Sequence, residues 1–320
     1  MRTIGIVTSG GDAPGMNAAI RAVVRTAQSL DFRVIGFQRG WEGLLSNTFR
    51  PLNARSVSGI IQTGGTILHT SRCREIRTEA GLRKAGDMLT QKKIDGLVVV
   101  GGDGSFKAAQ EISRFTDAAI AGIPATIDND VFATDETIGF DSAMNTAVEE
   151  IDKIRDTATS LDRVFIVEVM GRTRGFLAAH IGLTVGAEII LVPEVKTSSD
   201  DVCNSIKRYV ASGKKSAIIV AAEGIGDTHA LAGEIEKQTG IETRLSILGY
   251  AQRGGNPTAR SRLLASLYGE QATRLIAEGK RNVVVGLRSG EITSMEMEIT
   301  CANRKELDLR LLKLADVLAR

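Results

Sequence analysis

Apolar and polar residues along the chain alternate between two periods. Short, continuous apolar runs predict strands at Ile4–Thr8, Arg33–Phe37, Gly96–Val100, Ala119–Ile123, Val164–Val169, Glu188–Val192, Ala217–Ala221, Arg244–Leu248 and Val283–Leu287. Stretches of helical period lie between them at Met16–Ser29, Ser142–Thr157, Asp200–Ala211 and Arg260–Glu278. In Ser142–Thr157 the apolar residues Met144, Val148, Ile151 and Ile154 recur at spacings of three and four, which places them on one helix face. Strands that are apolar throughout need cover on both faces. The alternation therefore predicts α/β architecture, with mostly parallel sheets between helix layers. In such sheets ligands bind beyond the carboxyl ends of the strands, so the loops that follow strands are where chemistry is expected.

At 320 residues the chain exceeds what one core usually fills, so two lobes are expected. We divide it into a larger lobe, 1–138 with 255–303, and a smaller lobe, 139–254 with 304–320. Apolar residues at 43% and charged residues at 24% describe a globular protein. A net charge of +2 and an aromatic content of 4% argue against nucleic acid or a membrane surface as the main partner. The cysteines, Cys73, Cys203 and Cys301, have neither disulfide-framework nor zinc spacing and suit a reducing compartment. With no signal-like segment and no apolar run of membrane-spanning length, the expectation is a cytoplasmic protein. Glycine is abundant, at 34 residues against 5 prolines, and gathers just after the β-branched runs. That position suits sharp strand-to-helix turns or close approach to a ligand.

The first strand runs into Ser9-Gly10-Gly11-Asp12-Ala13-Pro14-Gly15 before a helix. A glycine-rich turn at a helix N-terminus aims free N–H groups at an anion, although a tight turn without a ligand has the same composition. The run Val98–Val100 leads into Gly101-Gly102-Asp103-Gly104-Ser105. There Asp103 is either a helix N-cap or a Mg²⁺ ligand, and the double glycine before it favours the metal. A third loop, Pro124-Ala125-Thr126-Ile127-Asp128-Asn129-Asp130, sets two carboxylates two residues apart. One can accept a proton from an attacking hydroxyl while the other helps position cations or the first; an exposed Asx turn is the bland alternative. Arginines beside glycines at Met170-Gly171-Arg172, at Arg244 and in Leu248–Gly255 suit recognition of phosphate or of charge developing during phosphoryl transfer.

In order and spacing, Ser9–Asn17, Gly101–Ser105, Thr126–Asp130, Met170–Arg172 and Gln252–Gly255 resemble the phosphofructokinase family over nearly the whole chain. The resemblance implies two Rossmann-like three-layer α/β lobes with the active site in the cleft between them, usually assembled as a homotetramer. It implies transfer of the γ-phosphoryl of ATP to the 1-hydroxyl of fructose 6-phosphate, dependent on Mg²⁺. Gly11, Arg72, Cys73, Gly102, Asp103, Gly104 and Ser105 match nucleotide-binding positions, with Asp103 serving Mg²⁺. Asp128 matches the general base, with Thr126, Ile127 and Asp130 beside it, and Arg172 matches the residue that steadies the transferring group. Met170, Gly171 and Glu223 match sugar-holding residues. Arg163, Arg244 and Arg253 match a clamp on the 6-phosphate, the first two contributed by a neighbouring subunit.

Tyr250 stands where many relatives have His, and its phenol can still donate to phosphate. Ser261 and Phe176 replace acidic residues. Gly104 and Ala125 are both small, whereas pyrophosphate-using relatives typically carry Asp and Lys there; the small pair favours ATP. Arg21, Arg25, Arg155, Gly186, Glu188, Lys214 and Lys215 match positions that bind ADP or phosphoenolpyruvate in allosteric relatives, with solvated surface charge as the alternative. A pyrophosphate-dependent enzyme and a catalytically silent phosphosugar sensor are the competing functions.

Overall fold

The structure is a computed structural model describing residues 2–319. The chain divides into two compact units, Met1–Ser142 with Arg253–Lys305 and Ala143–Gln252 with Glu306–Arg320. The sequence reading put these borders at 138/139, 254/255 and 303/304. No glycine or proline marks the first border, because it falls within a continuous helix, α5 (Phe140–Leu161).

In chain order the first unit contains β1 (Thr3–Thr8), α1 (Met16–Ser29), β2 (Arg33–Phe37), α2 (Trp41–Leu45), β3 (Phe49–Leu52), α3 (Glu79–Gln91), β4 (Gly96–Gly101), α4 (Asp103–Ile112) and β5 (Ala119–Pro124). The second unit follows with β6 (Val164–Val169), α6 (Phe176–Thr184), β7 (Ile189–Leu191), α7 (Ser199–Ala211), β8 (Ala217–Ala222), α8 (Thr228–Thr239) and β9 (Thr243–Ile247). The chain returns to the first unit with α9 (Ala259–Ala277), β10 (Val283–Arg288), β11 (Glu291–Glu296) and α10 (Met297–Ala302), and α11 (Arg310–Leu318) completes the second.

The first unit is built on a seven-stranded sheet in the order β11-β10-β5-β4-β1-β2-β3. Its inner strands pair in parallel, while β3 and β11 are antiparallel edges. β1, β4 and β5 are buried along their whole length, as their continuous apolar runs require. One face packs Trp41, Leu89, Phe106, Ile112 and Met297 from α2, α3, α4 and α10 against the sheet. The other carries α1 and α9, packed on each other and, through α9, on β5.

The second unit has a four-stranded, all-parallel sheet in the order β7-β8-β6-β9. Alternate residues of β8 (Ala217, Ile219 and Ala221) face Val202, Cys203 and Ile206 of α7 and Ile235 of α8. α6 covers the opposite face. β7 is shorter than the expected Glu188–Val192 by one residue at each end, and at its start the Glu188 carboxylate accepts from the Ile218 N–H at 2.8 Å. Two strands were absent from the expectation, β3 and β11. Both are half-exposed edges, and β3 contains Pro51, so neither has a continuous apolar run. Among the described residues no helix is long and apolar enough to cross a membrane.

Candidate active site

In the first unit β5, β4 and β1 are parallel neighbours, with Val100 opposite Thr8 and Gly101 opposite Pro124. Register alone therefore brings the loops 9–15, 101–105 and 125–130 together along one carboxyl edge. Gly101 has no room for a side chain: a Cβ there would lie 2.5 Å from the Ser9 carbonyl and 2.6 Å from Ser105 Oγ. The Ser105 hydroxyl is committed to this junction, donating to the Ser9 carbonyl at 3.1 Å, so it ties the first two loops together. Gly104, in contrast, faces open space, with nothing within 4 Å of an added Cβ.

Asp103 opens α4 and pairs with Lys107 one turn on at 2.7 Å. It is a single hard-oxygen donor, and no cluster of three potential metal ligands occurs among the described residues. That donor set fits Mg²⁺ arriving with polyphosphate oxygens and water, the usual way this ion is held. The segment bearing Arg72 and Cys73 is attached to the same edge, with Thr70 Oγ1 donating to the Gly10 carbonyl at 2.8 Å and Thr8 Oγ1 to the His69 carbonyl at 2.8 Å. Arg72 is exposed, and Cys73 packs half-buried against the α3–α4 core.

Asp128 is 1% exposed although it lies in a loop. Its own N–H donates to Thr126 Oγ1 at 3.2 Å, and the Thr126 carbonyl accepts from Thr137 Oγ1 at 2.6 Å. Asn129, between the two acids, is left-handed at φ 50° and accepts from the Thr137 N–H at 3.0 Å. The turn thus has a fixed shape beyond what an exposed Asx turn needs. The Ile127 side chain is wholly buried, so only its backbone is available to a ligand.

Arg253 begins the return into this unit. Its guanidinium donates to the Asp12 carbonyl at 3.0 Å, and a Cβ on Gly11 would lie 2.1 Å from Nη1. The residue expected at the sugar phosphate is therefore seated on the first glycine-rich loop, 9–15. Nearby, Ser261 is buried, accepting from the Ser142 hydroxyl at 2.8 Å, while Asp141 accepts from Thr258, the N-cap of α9. Asp141, beside Ser142 on α5, thus supports the Thr258 cap of α9 from another element, with no acid needed at position 261.

In the second unit the parallel order β8-β6-β9 gathers Glu223, the loop Met170–Gly175 and residues 249–252 at one carboxyl edge. One Glu223 oxygen accepts from the N–H groups of Gly171 at 3.2 Å and Arg172 at 2.6 Å. Gln252 Oε1 accepts from the Met170 N–H at 2.8 Å. These acceptors hold a strained turn, with Gly171 at φ 135° and Arg172 at φ 55°. Tyr250 is 78% exposed. Phe176 is buried at the start of α6 with the Arg174 guanidinium 5.4 Å from its ring centroid.

Arg163 and Arg244 are not at this edge. Arg163 precedes β6, Arg244 stands opposite Phe165, and both pair with Glu242, Arg163 at 2.7 Å. Along β6 that leaves them roughly 15–25 Å from Arg172, at about 3.3 Å per residue. The expected effector residues divide in the same manner. Glu188 gathers Arg155 at 3.9 Å and Lys214 at 3.4 Å, and Arg155 also donates to the Val185 and Gly186 carbonyls. Lys215 pairs with Asp162 at 3.7 Å, while Arg21 and Arg25 lie on α1 in the first unit.

The sequence matches the phosphofructokinase family over residues 3–276. It is 48% identical over 320 residues to the ATP-dependent 6-phosphofructokinase of Clostridium botulinum (strain Loch Maree / Type A3), covering all of both chains. It is 50% identical over 319 residues to the enzyme of the same name in Clostridioides difficile (strain 630), again covering both completely. Among solved structures, phosphofructokinase from Saccharomyces cerevisiae superposes with a TM-score of 0.86 at 34% identity, over 94% of this chain and 45% of that one. A pyrophosphate-dependent phosphofructokinase from Marinobacter aquaeolei has the same fold, with a TM-score of 0.87 at 21% identity over 97% of this chain and 86% of that one.

Proposed function

The chain belongs to the phosphofructokinase family, and from that premise we propose that it transfers the γ-phosphoryl of ATP to the 1-hydroxyl of fructose 6-phosphate. The observation that carries the reading is a carboxylate 1% exposed, Asp128, beside two glycine-rich loops on one sheet edge. Phosphoryl transfer asks for alignment and charge neutralisation more than for covalent chemistry.

Asp128 takes the proton from the sugar 1-hydroxyl as that oxygen attacks the γ-phosphorus and the bond to the β,γ-bridging oxygen breaks, releasing ADP, while Thr126, bonded to the Asp128 N–H, and Asp130 flank the base. Gly11 and Gly102–Gly104 leave backbone accessible to the phosphates, while Arg72 and Cys73 belong to the adenosine side. Asp103 would hold Mg²⁺ on the nucleotide, where the ion supplies charge neutralisation of the phosphate oxygens. Arg172 meets charge on the transferring group, and Met170, Gly171 and Glu223 hold the sugar. Arg253, which donates to the Asp12 carbonyl, serves the 6-phosphate.

Arg163 and Arg244, at the far end of β6 and β9, serve the site of a neighbouring subunit in a homotetramer. Their distance along the sheet from Arg172 supports that assignment. The cluster of Arg155, Gly186, Glu188 and Lys214, with Lys215, Arg21 and Arg25, is assigned to an ADP or phosphoenolpyruvate effector. The protein acts in the cytoplasm.

The test supplies purified protein with fructose 6-phosphate, Mg²⁺ and either ATP or pyrophosphate, and follows fructose 1,6-bisphosphate. Product with ATP, reduced about 10²–10⁴-fold by Asp128→Asn, supports donor and base together. Product with pyrophosphate alone overturns the donor. Sugar binding without turnover overturns the enzyme reading in favour of a sensor.

A further inference from the structure

We propose that Lys305, which belongs to none of the residue groups above, is a positioning residue for the loop carrying Asp128 and Asp130; its role in turnover rests on the phosphotransfer reading. Lys305 follows α10 and closes the first unit. Its ammonium donates to the Asp135 carbonyl at 2.8 Å. The same carbonyl accepts from Asn129 Nδ2 at 3.2 Å, and Asn129 is the left-handed residue between the two acids. One oxygen thus joins Lys305 to the turn that sets the direction of Asp128.

Other contacts anchor the rest of this segment. The Asp135 N–H donates to the Leu287 carbonyl at 2.7 Å, and its carboxylate accepts from the Ser289 N–H at 2.8 Å. Tyr268 donates to the Glu136 carbonyl at 2.7 Å. These hold the outer part of the loop to β10 and α9. Lys305 supplies a cation to the inner part, through the Asp135 carbonyl it shares with Asn129.

Charge explains why a lysine stands there. The segment 128–136 carries Asp128, Asp130, Asp135 and Glu136. Arg260 answers Glu136 at 2.8 Å, and Lys305 faces Asp130, Asp135 and Glu136. Burial pulls its ammonium down from 10.5 to about 8 against those carboxylates, so it remains charged at neutral pH. A partly desolvated cation is costly compared with an apolar chain of the same length. The protein keeps it beside a proposed general base, where four acids on one short segment would otherwise repel each other.

The test compares full-length Lys305→Met and Lys305→Arg with the parent in two assays. One is steady-state transfer from ATP to fructose 6-phosphate; the other is hydrogen exchange of the amides of residues 129–137. Lys305→Met is expected to lower kcat about 10- to 100-fold, in line with a small misplacement of a catalytic group, while leaving the KM for ATP unchanged. Exchange should speed up in 129–137 alone, and Lys305→Arg should restore both readouts. Unchanged kcat and exchange in Lys305→Met would overturn the proposal, as would equal losses in the Met and Arg variants. If the parent transfers nothing, the function reading fails separately, and exchange still decides whether Lys305 braces the loop.

Discussion

Removing the Glu223 carboxylate tests how the loop Met170–Gly175 is held. One of its oxygens accepts from the N–H groups of both Gly171 and Arg172, in a turn where both residues have positive φ. Hydrogen bonds to a charged acceptor contribute about 1.5–3 kcal/mol each. Gly171 is buried, so its N–H loses most of that in Glu223→Ala, whereas exposed Arg172 recovers much of its share from water. The net loss is about 2–3 kcal/mol, or roughly 30- to 150-fold in kcat/KM for fructose 6-phosphate. Glu223→Gln keeps a neutral acceptor of about half the strength, so it should lose only about 5- to 10-fold. Initial rates with the sugar varied at saturating ATP, and then the reverse, separate the effects. The reasoning is refuted if Gln and Ala are equally impaired, if Ala stays within about threefold of the parent, or if the KM for ATP rises in step.

Three further outcomes follow from the geometry. Gly11→Ala puts a Cβ 2.1 Å from Arg253 Nη1 and must dislodge the guanidinium from Asp12; the KM values for ATP and sugar should both rise, non-additively with Arg253→Ala in a double-mutant cycle. Gly104→Asp enters open space in the first turn of α4, where an acid favours the helix dipole. Its melting temperature should stay level or rise while ATP-dependent turnover falls at least about tenfold, and loss of folding would refute the reading. Lys305 has its folded-state value lowered to about 8 from 10.5, so the unfolded chain binds more protons between those pH values. Its contribution to stability therefore rises with pH across that window, by up to roughly 3 kcal/mol, read as the urea-midpoint difference between parent and Lys305→Met at pH 7.5 and pH 10.

The parallel core was legible because burial on both faces leaves continuous apolar runs such as Val98–Val100 and Ala217–Ala221, and no other environment tolerates them as strands. The loops after these strands stood out because glycines and acids gather there, Gly101 for lack of room beside Ser9 and Ser105, Gly104 with open space around it. Edge strands escaped detection: β3, with Pro51, and the half-exposed β11 have one face in water and no apolar run to announce them. The two-unit division was expected from length, but the first border lies inside α5, where helical periodicity continues unbroken across it.

The sequence by itself determined which residues can do chemistry and the ends of which strands they follow, since both depend on local order and side-chain type. Only the tertiary structure decided what each group is engaged with. Glu223 braces a backbone turn, Arg253 rests on Gly11 and Asp12, and Arg163 with Arg244 turns to Glu242 at the opposite end of the sheet. Lys305 meets a carbonyl 170 residues away in the chain. Such pairings are set by sheet order and register, which join distant segments, and no local periodicity encodes the distance between them.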